Sequence, residues 1–422
     1  MMTKKEFELY VHIPFCVRKC AYCDFLSAPA GAEERAAYVD ALVREIRSQK
    51  GNFREYRVST VFLGGGTPSI LEGADTARIF DALFDSFDIR GDAEITLEAN
   101  PGTVTEEKAA SWKKSGVNRL SIGLQSADNR ELEMLGRIHT FEDFLDTWES
   151  VRRAGFDNVN IDLISAIPGQ TEESWEQTLR AAAKLNPEHL SAYSLIIEEG
   201  TPFFDRYGED GGVKSDEKNG REKGWPSLPD EDTEREIYRM TERILKEYGY
   251  HRYEISNYAK DGYECRHNLG YWERKEYLGL GLGAASLVGE RRFHNTAELE
   301  KYMRLFGDRE PERPAVLPDT FSGPQAAGKA DPAGKAAEEI EIMTEQDQME
   351  EFMFLGLRKT EGISCLEFRE RFGKTAEEVY GSQIRKFLSL NLMEKEGDRL
   401  RLTERGLDVS NAVFVEFISD VG

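Results

Sequence analysis

The chain has 422 residues and a formal net charge of −23, with 40% hydrophobic and 32% charged residues. That length allows one barrel-sized domain and a smaller one, and the composition reads as globular with no apolar run long enough to span a bilayer. The acidic balance argues against a phosphate-tracking nucleic-acid binder, whose affinity rests on Lys and Arg. The start Met1-Met-Thr-Lys-Lys lacks the apolar core of an export signal, so a cytoplasmic protein is expected.

The first feature in chain order is Tyr10-Val-His-Ile-Pro-Phe-Cys-Val-Arg-Lys-Cys-Ala-Tyr-Cys-Asp-Phe25, which puts Cys16, Cys20 and Cys23 inside eight residues. A closed structural zinc site wants four ligands, and the next His downstream is His139. Three thiolates suit a [4Fe–4S] cubane with one iron left open. Five cysteines, three of them clustered, do not make a disulfide framework.

Beyond this stretch, Glu33 to Lys50 carries Tyr38, Val39, Leu42, Val43 and Ile46 at the spacing of a helix with one buried face. Ser59 to Leu63 then reads as a strand ending in Gly64-Gly-Gly-Thr-Pro68, which lacks the Lys-Ser/Thr of a phosphate loop. The alternation continues with helix 75–87, strand 93–98, helix 106–114, strand 119–125, helices through 128–154, strand 159–167, helix 172–185 and strand 189–197. Alternating strands and helices predict a parallel sheet. Counting the strand that delivers Tyr10 to Ile13, six such strands precede residue 200, enough for an open partial (β/α)6 barrel. Glu98, Gln125 and Asp162 fall at or near strand ends, where barrels carry their chemistry.

Asp205 to Asp230 reads as a polar surface insert within a core domain spanning 1–307, and 230–248 returns to helical spacing. Residues 308–339, rich in Pro, Ala, Gly and Lys, predict a polar linker. From 340 to 422 short helices precede a two-stranded wing around Gly397, a winged-helix-like domain. Its acidic residues outnumber its basic ones, so packing against the barrel is expected rather than DNA binding.

The Cys16/Cys20/Cys23 spacing, with Tyr22 before the last cysteine, resembles the radical S-adenosylmethionine (SAM) superfamily. The resemblance implies that SAM chelates the open iron and that an electron from a donor protein cleaves it to a 5′-deoxyadenosyl radical. Carried over position by position, it places Tyr10 and Tyr22 beside the cluster and Gly65, Gly66 and Thr67 on the methionyl end of SAM. Glu98, Gln125, Arg137 and Asp162 face the nucleoside, with Arg137 also able to pair with the SAM carboxylate.

Further segments sharpen the likeness: Tyr10 to Cys16, Gly64 to Ser69, Glu98-Ala-Asn-Pro-Gly102, Leu120 to Gln125, Leu135-Gly-Arg-Ile-His139 and Asp162 to Gln170. In this order they resemble the oxygen-independent coproporphyrinogen III oxidase family. Its oxidases carry a fourth cysteine where Phe25 stands here, and a longer region ahead of the first cysteine. Cys265-Arg-His-Asn-Leu-Gly-Tyr-Trp272 is similar to the HNxxYW signature of the family's heme-chaperone branch. That branch implies heme as a further ligand and heme-accepting proteins, such as respiratory enzymes, as partners, with peripheral membrane contact through an acceptor. A homodimer is among the assemblies allowed. His267 is the first candidate heme ligand, with Tyr271 and Trp272 as stacking faces and Cys265 as a competing ligand. The competing function is oxidative decarboxylation of coproporphyrinogen III by a SAM-derived radical.

Overall fold

The computed structural model describes residues 4–208, 225–307 and 333–418. The strands, in chain order, are β1 (Lys5–Ile13), β2 (Phe15–Cys16), β3 (Ala28–Pro29), β4 (Tyr56–Gly65), β5 (Ile89–Ala99), β6 (Arg119–Gln125), β7 (Val159–Ser165) and β8 (His189–Ser194). Between them lie the helices α1 (Ala32–Ser48), α2 (Gly73–Ser86), α3 (Glu106–Lys114), α4 (Asn129–Met134), α5 (Phe141–Arg153) and α6 (Glu172–Lys184). The strands β1, β4, β5, β6, β7 and β8 pair in parallel in that order, the open barrel the alternation predicts.

Period-two alternation decides which way each side chain faces. Leu9, Val11 and Ile13 of β1, Leu120, Ile122 and Leu124 of β6, and Val159, Ile161 and Leu163 of β7 enter one core with α1, α2, α5 and α6. Their neighbours turn inward: Glu8, Tyr10 and His12 on β1, Glu94 and Glu98 on β5, Arg119 and Ser121 on β6, Asn160 and Asp162 on β7. The helices close over the outer face with their own signals. At α5, for example, Thr140 and Asp143 form a reciprocal capping box.

After α7 (Pro202–Tyr207) and α8 (Glu231–Glu247) the chain extends the sheet at both edges. At the β8 edge it adds β9 (His251–Arg252) and β10 (Asn257–Ala259). The helix α9 (Arg266–Trp272) follows, then β11 (Tyr277–Leu280), parallel to β1, and β12 (Ala285–Val288), β13 (Arg291–Asn295) and β14 (Ala337–Ile342), all antiparallel. The helix α10 (Leu299–Phe306) lies between β13 and β14. The sheet therefore has twelve strands among the described residues.

Two expected boundaries move. Residues 209–224 of the polar insert and 308–332 of the linker lie outside the described residues, but Asp205 belongs to α7. The strand Ala337–Ile342 runs across the expected junction at 339/340 and belongs to the core sheet. The terminal unit thus starts its own core with α11 (Glu345–Gly356), α12 (Cys365–Phe372) and α13 (Ala376–Ser389). A small sheet of β15 (Ile363–Ser364), β16 (Met393–Glu396) and β17 (Arg399–Leu402) supplies the wing, with Gly397 at φ 58° in its turn. The unit docks on the barrel, as its charge predicts: Glu351 accepts from Arg274 at 2.6 Å, and Lys359 reaches Glu273 at 3.5 Å.

Candidate functional site

The cysteine loop leaves the carboxyl end of β1 and is tied down by backbone on both flanks. Residues 15–16 pair with residues 28–29, Ala21 N–H donates to Leu135 O at 3.1 Å and Phe203 N–H to Ala21 O at 3.0 Å. The glycine turn after β4 packs beneath the loop. Gly66 N–H donates to Ile13 O at 2.8 Å and Thr67 N–H to Phe15 O at 2.7 Å. Gly65 has φ +110°, and a Cβ there would meet the His12 ring at 2.5 Å; one at Gly66 would meet Phe15 O at 2.6 Å. These glycines are needed for close approach of two backbones.

Cys16, Cys20 and Cys23 are free and open on one cavity of ≈ 400 Å³. Burial pushes the Cys23 thiol up to about 11, so it waits protonated for a metal to displace the proton. A closed zinc site takes four ligands, whereas three thiolates on one cavity can each take a separate iron of a cubane. The donor set fits the cluster.

The same cavity is lined by Tyr22, Gly65, Gly66, Thr67, Glu98, Gln125, Arg137 and Asp162, so eight of the nine predicted SAM residues meet there. Tyr10 does not. Its side chain turns into the barrel lumen, where its hydroxyl lies 2.9 Å from His12 Nδ1. Since His12 Nε2 must donate to Leu26 O at 2.8 Å, Nδ1 is the acceptor and Tyr10 the donor. One pleat below the strand end, it stands next to the cavity-lining Glu98 and reaches the cluster loop through His12.

Arg137 is also engaged differently from the expected carboxylate pairing. Its Nη2 donates to Asn100 Oδ1 at 2.7 Å and Gly123 O at 3.0 Å, and Nη1 stands 3.6 Å from Cys20 Sγ. Asn100 passes the network on to Thr67 Oγ1 at 2.8 Å, and Thr67 reaches Cys16 Sγ at 3.5 Å. A guanidinium beside the thiols offsets charge that would accumulate on deprotonated sulfur. Asn100 is the residue sequence reasoning missed, although it lies in the quoted segment Glu98-Ala-Asn-Pro-Gly102.

Glu98 Oε2 accepts from Gly65 N–H at 3.0 Å. Burial, and then the nearby Asp162, push its carboxyl up to about 8. Asp162 accepts from Ser121 at 2.8 Å and Asn160 at 2.9 Å, and burial raises it too. Gln125 holds φ 73° where the β6–β7 register slips, an uncommon conformation for a non-glycine residue that turns the end of β6 at the cavity. His139 also lines the cavity; burial and Arg137 lower it to about 4, so it is neutral.

The four heme candidates lie elsewhere. The helix α9 closes the amino end of the barrel, with Glu94 accepting from Arg266 N–H at 3.0 Å and His267 N–H at 3.1 Å. His267 is 1% exposed, with Nδ1 2.7 Å from Thr60 Oγ1 and Nε2 3.1 Å from the Tyr271 hydroxyl. Both ring nitrogens are hydrogen-bonded within the chain. Cys265 is fully buried against Glu94, and burial pushes its thiol up to about 12. Trp272 carries the Arg358 guanidinium 4.4 Å above its ring, so that face is taken. Tyr271 lines a second cavity of ≈ 330 Å³ that it shares with Tyr10.

The fold and the cysteine cavity define a radical SAM protein. Residues 10–182 match the Radical SAM superfamily and 343–409 the HemN C-terminal domain. The fold is similar to that of the Escherichia coli coproporphyrinogen III oxidase HemN, with TM-score 0.78 at 22% identity over 98% of this chain and 90% of that one. The heme chaperone HemW of Lactococcus lactis subsp. lactis is 33% identical over 419 residues, 99% of each chain. That of Bacillus subtilis is 32% identical over 98% of this chain and 99% of its own. The E. coli HemW is 38% identical over 68% of this chain and 72% of its own. The chain belongs to the HemW heme chaperone family.

Proposed function

We propose that this chain binds heme, carries a [4Fe–4S] cluster and SAM, and delivers the heme to acceptor proteins such as respiratory enzymes. The observation that carries the reading is the separation of two cavities, one lined by the three cysteines and the other by Tyr271 of the HNLGYW helix. Cys16, Cys20 and Cys23 hold the cluster. Gly65, Gly66, Thr67, Glu98, Gln125 and Asp162 hold SAM, with Arg137 and Asn100 fixing the wall between SAM and sulfur. When bound and reduced, the cluster supplies the electron that cleaves a sulfonium.

At the other end Tyr271 would ligate the heme iron, a ligand type that haem proteins use. His267, lowered to about 3 by burial and Arg119 and hence neutral, sits behind the phenol with Nε2 3.1 Å from its hydroxyl and fixes its position while Thr60 holds the ring. His267 is therefore a positioning residue. Among the described residues no helix is long and apolar enough to cross a membrane.

The test is anaerobic. Reconstituted protein is titrated with hemin, and separately given coproporphyrinogen III, SAM and a reductant. A stoichiometric Soret band without protoporphyrinogen formation supports the carrier; catalytic turnover of the porphyrinogen overturns it. Tyr271→Phe should shift the Soret band, and His267→Ala should alter its pH dependence; an unchanged spectrum for Tyr271→Phe removes the ligand assignment. About one zinc per chain without inorganic sulfide would end the cluster reading.

A further inference from the structure

The second cavity lies between α9, the β11–β13 part of the sheet and the docked helix α11. Tyr10, Tyr271 and Tyr277 line it with Arg274, Arg292 and Leu355. Aromatic faces beside guanidinia make a site for a planar ligand bearing carboxylates.

Charge and unmade bonds point the same way. Arg274 Nε and Arg292 Nη1 both converge on the Glu351 carboxylate, at 2.6 and 2.5 Å. Two guanidinia thus share one buried carboxylate. The Arg274 side chain is only 3% exposed, and its Nη2 is buried without a hydrogen-bond partner. A buried guanidinium nitrogen with nothing to donate to is costly, and such a group calls for a ligand or ordered solvent. The backbone around it is set for that position. Arg274 holds φ 54°, a left-handed conformation unusual for its residue type, while its N–H donates to Tyr271 O at 3.0 Å to close α9.

We propose that Arg274 is the carboxylate anchor of this cavity and binds a propionate of heme through its free Nη2, Arg292 supporting it at the rim. The proposal rests on the heme reading above and extends it to residues outside the HNLGYW signature. The carboxylate recognised is a side chain of the porphyrin edge, so the anchor selects for the free acid and is blind to the metal.

The experiment compares hemin with its dimethyl ester on the full chain, which leaves the protein unaltered. Wild type should bind hemin about tenfold or more tightly than the ester, the size expected of one charge-assisted hydrogen bond. Arg274→Gln should abolish that preference while leaving ester affinity near wild type, and Arg274→Lys should restore only part of it because the fork is lost. Far-UV circular dichroism and the melting temperature of each variant separate loss of binding from loss of folding. Equal affinity of wild type for the two porphyrins, or a preference retained in Arg274→Gln, overturns the anchor and leaves the heme reading standing. No hemin binding by wild type overturns both.

Discussion

Glu98 offers a quantitative check on the cysteine cavity, because its carboxyl is raised from an ordinary 4.5 to about 8 by burial and by Asp162. In the window between those values the native chain holds a proton that the unfolded chain has released. The slope of stability with pH is therefore negative there: this contribution is full below about pH 4.5 and is lost as pH rises through about 8. At about 1.4 kcal/mol per tenfold, the upper bound is ~5 kcal/mol. Glu98 borders the cavity and is reached by water, so we expect ~2 kcal/mol. Glu98→Gln copies the protonated acid and keeps an oxygen for Gly65 N–H. In urea unfolding of the reduced, cluster-free chain, the variant should gain on wild type by ~2 kcal/mol between pH 5 and pH 8. Taking the difference between the two proteins cancels every other titrating group that the substitution leaves alone. A constant difference at both pH values would refute the raised carboxyl.

Three further substitutions test the frame around the two cavities. Asn100→Ala unties Arg137 from Thr67; with two hydrogen bonds lost at about 1 kcal/mol each, SAM affinity measured by equilibrium dialysis should fall about tenfold or more. Gly66→Ala drives a methyl group into Phe15 O, and the cost of ~1–3 kcal/mol should fall on the cysteine loop, read as less iron and sulfide bound after reconstitution. Glu351→Gln leaves the buried Arg274 without its charge partner, and the loss of ~3 kcal/mol should appear as faster hydrogen exchange in residues 345–356 than in the barrel strands.

The amphipathic helices and the strand ends were legible because burial imposes a period. The helix Glu106–Lys114 and the strand Arg119–Gln125 have the bounds their apolar spacing predicts. The strands Tyr56–Gly65 and Ile89–Ala99 are longer than the expected 59–63 and 93–98, since pairing with β1 carries β4 back to Tyr56 and on through the glycines to Gly65, and β5 starts early at Ile89 beside Val58. The strands β11 to β14 were not legible at all. They are short, glycine-bearing or charged, and β11 is fixed by pairing Glu8 with Tyr277 across most of the chain. The three cysteines and the glycine turn were legible from local spacing. What surrounds His267 was not, because Thr60, Glu8 and Glu94 approach it from β1, β4 and β5, and no local pattern marks a side chain as closed in on both nitrogens.

A row of rings runs through the lumen between the two cavities. Tyr10 lies 6.3 Å from Phe62, Phe62 5.1 Å from His267 and His267 4.8 Å from Tyr271, centroid to centroid, while His12 leads from Tyr10 to the cysteine loop. On the proposed reading, a radical formed against Glu98 and Asp162 would have these rings between itself and a porphyrin seated on Tyr271. An oxidase needs the opposite arrangement, with the propionate of its substrate in contact with the radical, hence inside the cysteine cavity. The same fold can thus serve either purpose, and the end at which the porphyrin binds distinguishes them. In this chain the free guanidinium nitrogen lies at the end away from the cysteines. That is where a carrier keeps its cargo out of reach of the chemistry its own cluster could start.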